Sequence, residues 1–154
     1  MITINKTFAS GSHLKQLLVL TAIVVVAVMS GCRKKEVITK YDNPNWQFTD
    51  TLSYTYISAT AVIALPDNLQ PYIDDNDQMA VFVGDVCRGV ANLEDGLFNF
   101  SIPVANAEEE SPAYFRYWSS RTGYMYQSSE TVVIKSGAII GTTAQPHQLT
   151  LTVI

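Results

Sequence analysis

The sequence predicts an all-β domain, an antiparallel β-sandwich of the immunoglobulin-like type with about eight strands, preceded by a signal peptide. Three observations support this expectation. One uncharged apolar run lies near the start of the 154-residue chain, apolar and polar residues alternate through most of the remainder, and Gly-, Asp- and Asn-rich turns recur every 8–15 residues. No helical periodicity follows residue 44. The expected organisation is a signal peptide at 1–31, a lipidated cysteine and tether at 32–50, and the β-sandwich at 51–154.

The apolar run occupies residues 17–29, thirteen residues without a charge. Lys6 and Lys15 precede it, and small residues lead from it to Cys32. A positive start, an apolar centre of roughly 7–15 residues and a small-residue exit are typical of a secretory signal peptide. A membrane-spanning helix needs ~20 apolar residues, so a retained transmembrane anchor is the second interpretation.

The exit Met29-Ser30-Gly31-Cys32 resembles a bacterial lipobox, with Met29 where Leu, Val or Ile is usual. In that family the signal peptidase cuts before the cysteine, and acyl chains are attached to its thiol and its new amino group. The resemblance implies that Cys32 is lipidated and that the membrane is a partner through this anchor. Each buried methylene contributes ~0.8 kcal/mol and one chain binds only reversibly, so two or three chains make release negligible.

The charged stretch 33–36 and the polar segment behind it resemble the start of Bacteroidetes lipoproteins. In that group, charged residues at this place direct export to the outer face of the outer membrane. The resemblance implies an outer-membrane lipoprotein displayed on the cell surface. The usual export pattern is acidic and this stretch is mainly basic, so an inward-facing, periplasmic position is the alternative. A further interpretation of the basic run is an electrostatic contact with anionic lipid headgroups, without a role in export.

Alternation assigns the strands in order along the chain. The first, 53–65, places its odd-numbered residues on one face. The others are 78–83, 86–92, 97–104, 113–119, 124–128, 131–134 and 148–153. Residues 84–85 form a two-residue hairpin turn, since Gly84 tolerates a positive φ. The segment 105–111 holds three consecutive Glu residues and is expected to be a solvated loop.

The segment AVFVGDVCRGVA at 80–91 resembles a small β-sandwich domain found in many secreted and surface proteins of the Bacteroidetes. That domain carries an A-F-V-G strand, a tight turn and then C-R-G-V-A. Its further motifs have counterparts in GLF at 96–98, FRYW at 115–118 with Thr122-Gly123, and GTTAQP at 141–146. The resemblance spans about 51–151. It implies a fold and a surface setting but no reaction, because the family has no assigned function.

Charge and motifs argue against nucleic acid and against catalysis. From residue 41 onward four basic residues stand against 13 acidic ones, whereas a nucleic-acid binder presents a basic surface. No phosphate-binding loop, dinucleotide fingerprint, C-x-x-C or H-E-x-x-H pattern occurs. His147 is the one histidine after residue 32, and no spacing links it to Cys87, which we expect to be a buried, inert thiol. We therefore expect no enzyme, no cofactor and no nucleic-acid partner.

The acidic turn Asp74-Asp75-Asn76-Asp77 is a weak candidate for calcium. Calcium takes six to eight oxygen ligands, and the distal glutamate of the common calcium loop is missing here. A solvated acidic turn that discourages edge pairing is the simpler interpretation. No metal is therefore expected, with Asp74, Asp75 and Asp77 as the residues that would hold one.

An aromatic stripe is the candidate ligand-binding site. Tyr114, Arg116 and Trp118 alternate along one strand and share a face, which is expected to point outward because arginine is seldom buried. Tyr124 and Tyr126 are expected nearby, across the next hairpin. Such a surface suits stacking on sugar rings or on a protein partner. The alternative is ordinary cross-strand packing in which Arg116 shields aromatic faces.

The leading functional hypothesis is a surface lipoprotein whose β-sandwich binds a glycan, a matrix protein or a partner subunit. The alternative is a structural or accessory subunit of an envelope assembly without a ligand site of its own. The two hypotheses predict different surfaces. A binder presents an exposed aromatic patch, whereas a structural subunit presents an unpaired apolar edge or a flat apolar face.

Overall fold

The computed structural model describes residues 37–49 and 58–154. The predicted signal peptide, Cys32 and residues 53–57 of the first predicted strand lie outside the described residues. Residues 37–154 belong to one compact unit. Within the described ranges, no helix is long and apolar enough to cross a membrane.

Ten β-strands and one 3-10 helix, Gln70–Tyr72, form the regular structure of the described residues. The strands are β1 (Ala59–Ala64), β2 (Gln78–Val83), β3 (Val86–Glu94), β4 (Leu97–Ile102), β5 (Ser111–Trp118), β6 (Met125–Ser128), β7 (Val132–Ile134), β8 (Ile139–Ile140), β9 (His147–Gln148) and β10 (Leu151–Val153). The all-β class is confirmed. β8 was not predicted, and β9 with β10 replaces one predicted strand, because two-residue strands are too short to show alternation.

The strands form one curled mixed sheet in the order β10-β6-β5-β2-β3-β4-β1-β8, with β7 on β5 and β9 on β1. β3 joins the two halves, because it pairs with β2 along most of its length and with β4 at its end. The curl brings β4 opposite β5. There Phe98 contacts Tyr117 and Phe100 contacts Phe115, with ring-centroid distances of 5.9 and 5.5 Å. An immunoglobulin-like sandwich is not confirmed by this topology.

The expectation of a wholly antiparallel sheet is wrong at the edge beside β1. Both β8 and β9 pair with β1 in parallel. The chain reaches this edge by crossing over from β7, which pairs with β5 at the far side of the sheet order. Gly141 allows the close approach: its φ is +72°, and a Cβ there would lie 2.5 Å from the His147 nitrogen and 2.6 Å from the Val62 oxygen.

The core fills the inside of the curl. The alternation of the first strand predicts that its odd-numbered residues share a face. Four of them are at most 1% exposed: Ala59, Ala61, Ile63 and Leu65. Tyr117, from β5, is the largest of the fully buried side chains that face them. Full burial of side chains of this size stabilises the fold by ~1.5–3 kcal/mol each.

Candidate functional site

The stripe Tyr114, Arg116 and Trp118 lies on one face of β5, opposite the core, but it is not an open platform. Trp118 is only 8% exposed, and its indole nitrogen donates a 3.0 Å hydrogen bond to the Tyr41 carbonyl. The Tyr114 ring stacks on Phe82 with a centroid distance of 5.4 Å and an interplanar angle of 14°. The Arg116 guanidinium lies 5.1 Å from the Phe82 centroid and 5.4 Å from that of Tyr114. This is the shielding arrangement that the alternative interpretation described.

The cover on this face comes from residues 37–49, the described part of the predicted tether. The Tyr41 amide donates to the Gly123 carbonyl at 2.7 Å. Trp46 packs its ring edge-on against Phe82, with a centroid distance of 6.1 Å. The Thr49 amide donates to the Cys87 carbonyl at 3.3 Å. Residues 37–49 therefore pack along the domain and cover the stripe. We call them the docked segment.

Tyr126 lies on the other face of the sheet, which corrects the expectation that it joins the stripe. β5 and β6 do form the predicted hairpin, but their register pairs Tyr117 with Tyr126 and Trp118 with Met125. Directly opposed residues share a face, so Tyr126 takes the core side with Tyr117, and the two rings lie 5.6 Å apart. The hairpin could be predicted from sequence, whereas its register depended on the length of the 119–124 turn.

On that side the structure contains an open cleft of about 400 Å³. Its walls come from the 3-10 helix region, from the start of β6, from β10 and from the docked segment. The lining residues are Ile38, Asn68, Leu69, Tyr72, Thr122, Tyr124, Tyr126 and Val153. Two of the five predicted ligand-binding residues, Tyr124 and Tyr126, thus line the cleft, and the other three lie on the opposite sheet face.

The polar groups of the cleft include the hydroxyls of its three tyrosines, and its lining is uncharged. Burial raises the pKa of Tyr126, the nearby phenols of Tyr124 and Tyr72 raise it further, and a hydrogen bond with Thr122 acts the other way. All three tyrosines line the cleft. None of the lining residues carries a charge. Cations lie beside the lining: the Lys40 ammonium is 6.0 Å from the centroid of the Tyr124 ring, and the Arg121 guanidinium donates to the Pro71 carbonyl at 3.3 Å.

The sequence does not identify the other six lining residues: Ile38, Asn68, Leu69, Tyr72, Thr122 and Val153. Residues 66–77 lie between two predicted strands, and the docked segment is predicted to be a tether. A weak signal was present, because Leu69 and Tyr72 are three residues apart in a segment with Pro71, the spacing that a 3-10 turn brings together.

The three candidate calcium ligands do not form a metal site. Asp77 is completely buried, and its two oxygens accept hydrogen bonds from Tyr117 Oη at 2.6 Å, the Ser120 amide at 2.8 Å, Ser120 Oγ at 2.9 Å and the Asp74 amide at 3.1 Å. Asp74 instead accepts from the amide and side chain of Asn76, and these bonds lower its pKa. Asp75 is exposed. No group of three His, Cys, Asp or Glu side chains within the described ranges is placed to hold a metal.

The Glu-rich loop is not wholly solvated, which corrects a second expectation. The Glu109 carboxylate is buried and pairs with the Arg88 guanidinium at 3.3 Å. It also accepts hydrogen bonds from the Ala105 amide and from Ser111 Oγ. Arg88 donates in addition to the Pro103 carbonyl at 3.2 Å. This pair fastens the loop to β3.

The C-R-G segment adopts a β-bulge. Val81 pairs with Gly89 and Phe82 with Cys87, so Arg88 is the extra residue of the bulge, and its side chain pairs with Glu109. A Cβ on Gly89 would lie 3.2 Å from Val81 Cγ1. The Cys87 thiol is buried, as expected, with its sulfur 3.6 Å from the Gly89 carbonyl, and burial raises its pKa.

Comparison with known proteins finds no matching family model, curated protein or solved structure.

Proposed function

We propose that this protein is a non-catalytic glycan-binding module, held at the cell envelope by a lipid on Cys32, and that the tyrosine cleft is its ligand site. One observation carries the proposal: three tyrosine side chains converge on an open cleft of about 400 Å³. Tyr72 is 49% exposed, so its ring contributes little to the core. Aromatic side chains with one face open and a polar tip are suited to binding a ligand that has both apolar and hydrogen-bonding surfaces.

The chemistry of the lining favours a sugar over a charged ligand. Phenol and threonine hydroxyls and the Asn68 amide supply donors and acceptors of both kinds. No side chain in the lining balances a phosphate or a carboxylate. Sugar rings offer apolar C–H faces for stacking and hydroxyls for exchange of hydrogen bonds, so a neutral polyhydroxylated ring suits the cleft best.

The location and family are proposed from the sequence. The lipobox at 29–32 supports an outer-membrane lipoprotein on the cell surface, with the periplasmic face as the alternative. The C-R-G bulge with its buried Arg88–Glu109 pair supports membership of the small sandwich-domain group, because it gives the motif a structural role. The contact of β4 with β5 across the core supports the two-layered, sandwich-like packing proposed for that group.

A glycan array probed with the full-length protein in detergent tests the ligand proposal. Wild type is expected to bind a set of neutral glycans, and Tyr72→Ala is expected to weaken binding about five- to tenfold, the loss of one stacking contact. Tyr41→Ala is the matched control, since Tyr41 is 39% exposed and does not line the cleft. Binding that Tyr41→Ala weakens and Tyr72→Ala preserves would place the ligand elsewhere.

Mass spectrometry of the membrane fraction tests the anchor. The mature chain is expected to begin at Cys32 and to carry acyl chains. A Cys32→Ala protein that stays in the membrane without acylation would favour a retained transmembrane anchor.

The accessory-subunit function has one observation in its favour. β8 is the last strand of the sheet among the described residues, and Ile139 in it is 72% exposed. An apolar strand at a sheet edge can pair with another chain. Chemical cross-linking in intact cells with wild type and Ile139→Lys compares the two functions: loss of a defined cross-linked partner in the variant favours the subunit, and an unchanged pattern favours the glycan module.

A further inference from the structure

We infer that the sugar taken by the tyrosine cleft is the headgroup of a glycolipid in the same membrane that anchors the protein. This inference rests on the proposed function, both for the cleft and for the lipid on Cys32. It adds the physical source of the ligand.

The length of the chain limits how far the cleft can stand from the anchor. Ile38 lines the cleft and follows Cys32 by six residues. A fully extended chain spans at most ~3.3–3.6 Å per residue, so the two Cα atoms are separated by no more than about 22 Å, whatever path the chain takes. An acylated Cys32 would lie at the lipid headgroups, which keeps this wall of the cleft within about 22 Å of them.

The contacts of the docked segment, residues 37–49, keep the chain between Cys32 and the cleft short. The Tyr41 amide donates to Gly123 and the Tyr41 carbonyl accepts from Trp118, so its backbone is held on both sides. The next contact, Trp46 on Phe82, holds the segment again five residues later. Undocking this segment would expose the apolar Phe82 and Trp118 rings to water and break the hydrogen bond from the Trp118 indole nitrogen to the Tyr41 carbonyl, so the docked position is favoured.

The charge distribution favours the same orientation. The residues between Cys32 and Tyr41 include Arg33, Lys34, Lys35 and Lys40, whereas the chain from residue 41 has nine more acidic than basic residues. Basic residues next to a lipid anchor are attracted to anionic headgroups, and acidic surfaces are repelled. The cleft belongs to the basic end of the mature chain, because Ile38 forms part of its wall and Lys40 lies beside Tyr124.

A vesicle experiment with the full-length, acylated protein distinguishes a glycolipid bound in the membrane that holds the anchor from one bound in another membrane. The protein is reconstituted in phosphatidylethanolamine–phosphatidylglycerol vesicles that contain a photoreactive monoglucosyl or monogalactosyl diacylglycerol. Cross-linking reports capture from the same membrane. Mixing protein-bearing vesicles with a second population that alone carries the glycolipid reports capture from another membrane, read as aggregation by light scattering.

The matched variant carries a flexible Gly-Ser insert of about 20 residues between Glu36 and Val37, which adds roughly 25 Å of reach. Wild type is expected to cross-link in its own membrane and not to aggregate the second population, whereas the insert variant aggregates it. Tyr72→Ala is expected to reduce cross-linking about five- to tenfold and Tyr41→Ala to leave it unchanged.

Free methyl glucoside and methyl galactoside, added to both proteins in detergent, distinguish the two possible failures. Equal binding of these sugars by wild type and by the insert variant shows that the cleft itself works. If wild type then aggregates the second population as readily as the insert variant, or fails to cross-link in its own membrane, the same-membrane inference is wrong and the glycan-binding function stands. If neither free hexoside nor glycolipid is bound, the glycan function is wrong and this inference is wrong with it.

Discussion

The Tyr117 hydroxyl donates a 2.6 Å hydrogen bond to Oδ2 of Asp77, and both side chains are completely buried. The same carboxylate accepts bonds from Ser120 and from the Asp74 amide, so it joins the turn before β2 to the end of β5. Tyr117 also packs against Tyr126, whose ring lines the cleft. A buried acid forty residues away in sequence therefore supports the wall of the candidate site.

Replacing Asp77 with alanine is expected to lower the free energy of unfolding by ~2–4 kcal/mol, because it leaves several buried donors without an acceptor. Tyr117→Phe removes one donor and is expected to cost ~1–2 kcal/mol. Urea denaturation of both variants measures these values. Asp75→Ala is the control, since Asp75 is exposed, and a loss in it equal to that of Asp77→Ala would contradict the assigned role.

Alkaline pH is expected to destabilise the fold through its buried phenols. Burial and the Asp77 carboxylate raise the pKa of Tyr117, and burial raises the pKa of Tyr126. The unfolded chain therefore loses these protons first, near pH ~10. The contribution of the two phenols to the free energy of unfolding is fully present below that pH and falls as pH rises above it. Urea midpoints from pH 8 to 11 are expected to decline less steeply in Tyr117→Phe than in wild type. Cys87→Ala isolates the thiol, whose pKa burial also raises.

The buried ion pair predicts an asymmetric response to substitution. Removing Glu109 leaves the Arg88 guanidinium buried without its carboxylate, and breaking a buried pair this way typically costs ~3–5 kcal/mol. Glu109→Ala is therefore expected to lower the melting temperature strongly, while Glu108→Ala, at an exposed neighbouring position, leaves it nearly unchanged. Equal melting temperatures for the two variants would show that the pair contributes nothing to stability.

Two glycines with positive φ are expected to differ in how much stability the protein loses when each is replaced by alanine. Gly141→Ala places a Cβ within 2.6 Å of two backbone atoms and is expected to disrupt the pairing of β8 and β9 with β1. Gly84→Ala has a similar φ but nothing within 4 Å of its Cβ, so only the conformational cost of ~1 kcal/mol applies. Circular-dichroism melting of both proteins compares them, and similar losses would argue against the tight contact at Gly141.

The strands with clear alternation could be predicted from sequence, and so could the division of β1 into two faces, because a period of two leaves little freedom. The parallel edge could not, since its two pairs involve only Ile139–Ile140 and His147–Gln148. The sequence predicts a solvated Asp77, because its partners Tyr117 and Ser120 are remote in sequence. The prediction of a solvated Glu109 is wrong for the same reason, since a bulge brings Arg88 to it.

The candidate site shows where alternation alone misleads. It placed Tyr114, Arg116 and Trp118 on one face correctly, but it does not say what covers a face. The cover is a segment without regular structure, residues 37–49, whose contacts are made by the Tyr41 backbone and by Trp46. The lining residues of the cleft come from four separate parts of the chain, and the sequence predicts only Tyr124 and Tyr126 among them.

Replacement by alanine is expected to lower mainly the stability at Trp118 and mainly the glycan affinity at Tyr72. Trp118→Ala removes a nearly buried ring and leaves the Tyr41 carbonyl without its donor, so we expect a loss of ~3–5 kcal/mol of stability. Tyr72→Ala removes a half-exposed ring and should lower the melting temperature by no more than a few degrees, while it weakens glycan binding. Melting curves and glycan affinity of both variants, measured at a temperature where Trp118→Ala is still folded, decide between the two surfaces. If Trp118→Ala abolished binding with its melting temperature unchanged, the stripe on β5 would be the ligand site and the assignment of the cleft would fail.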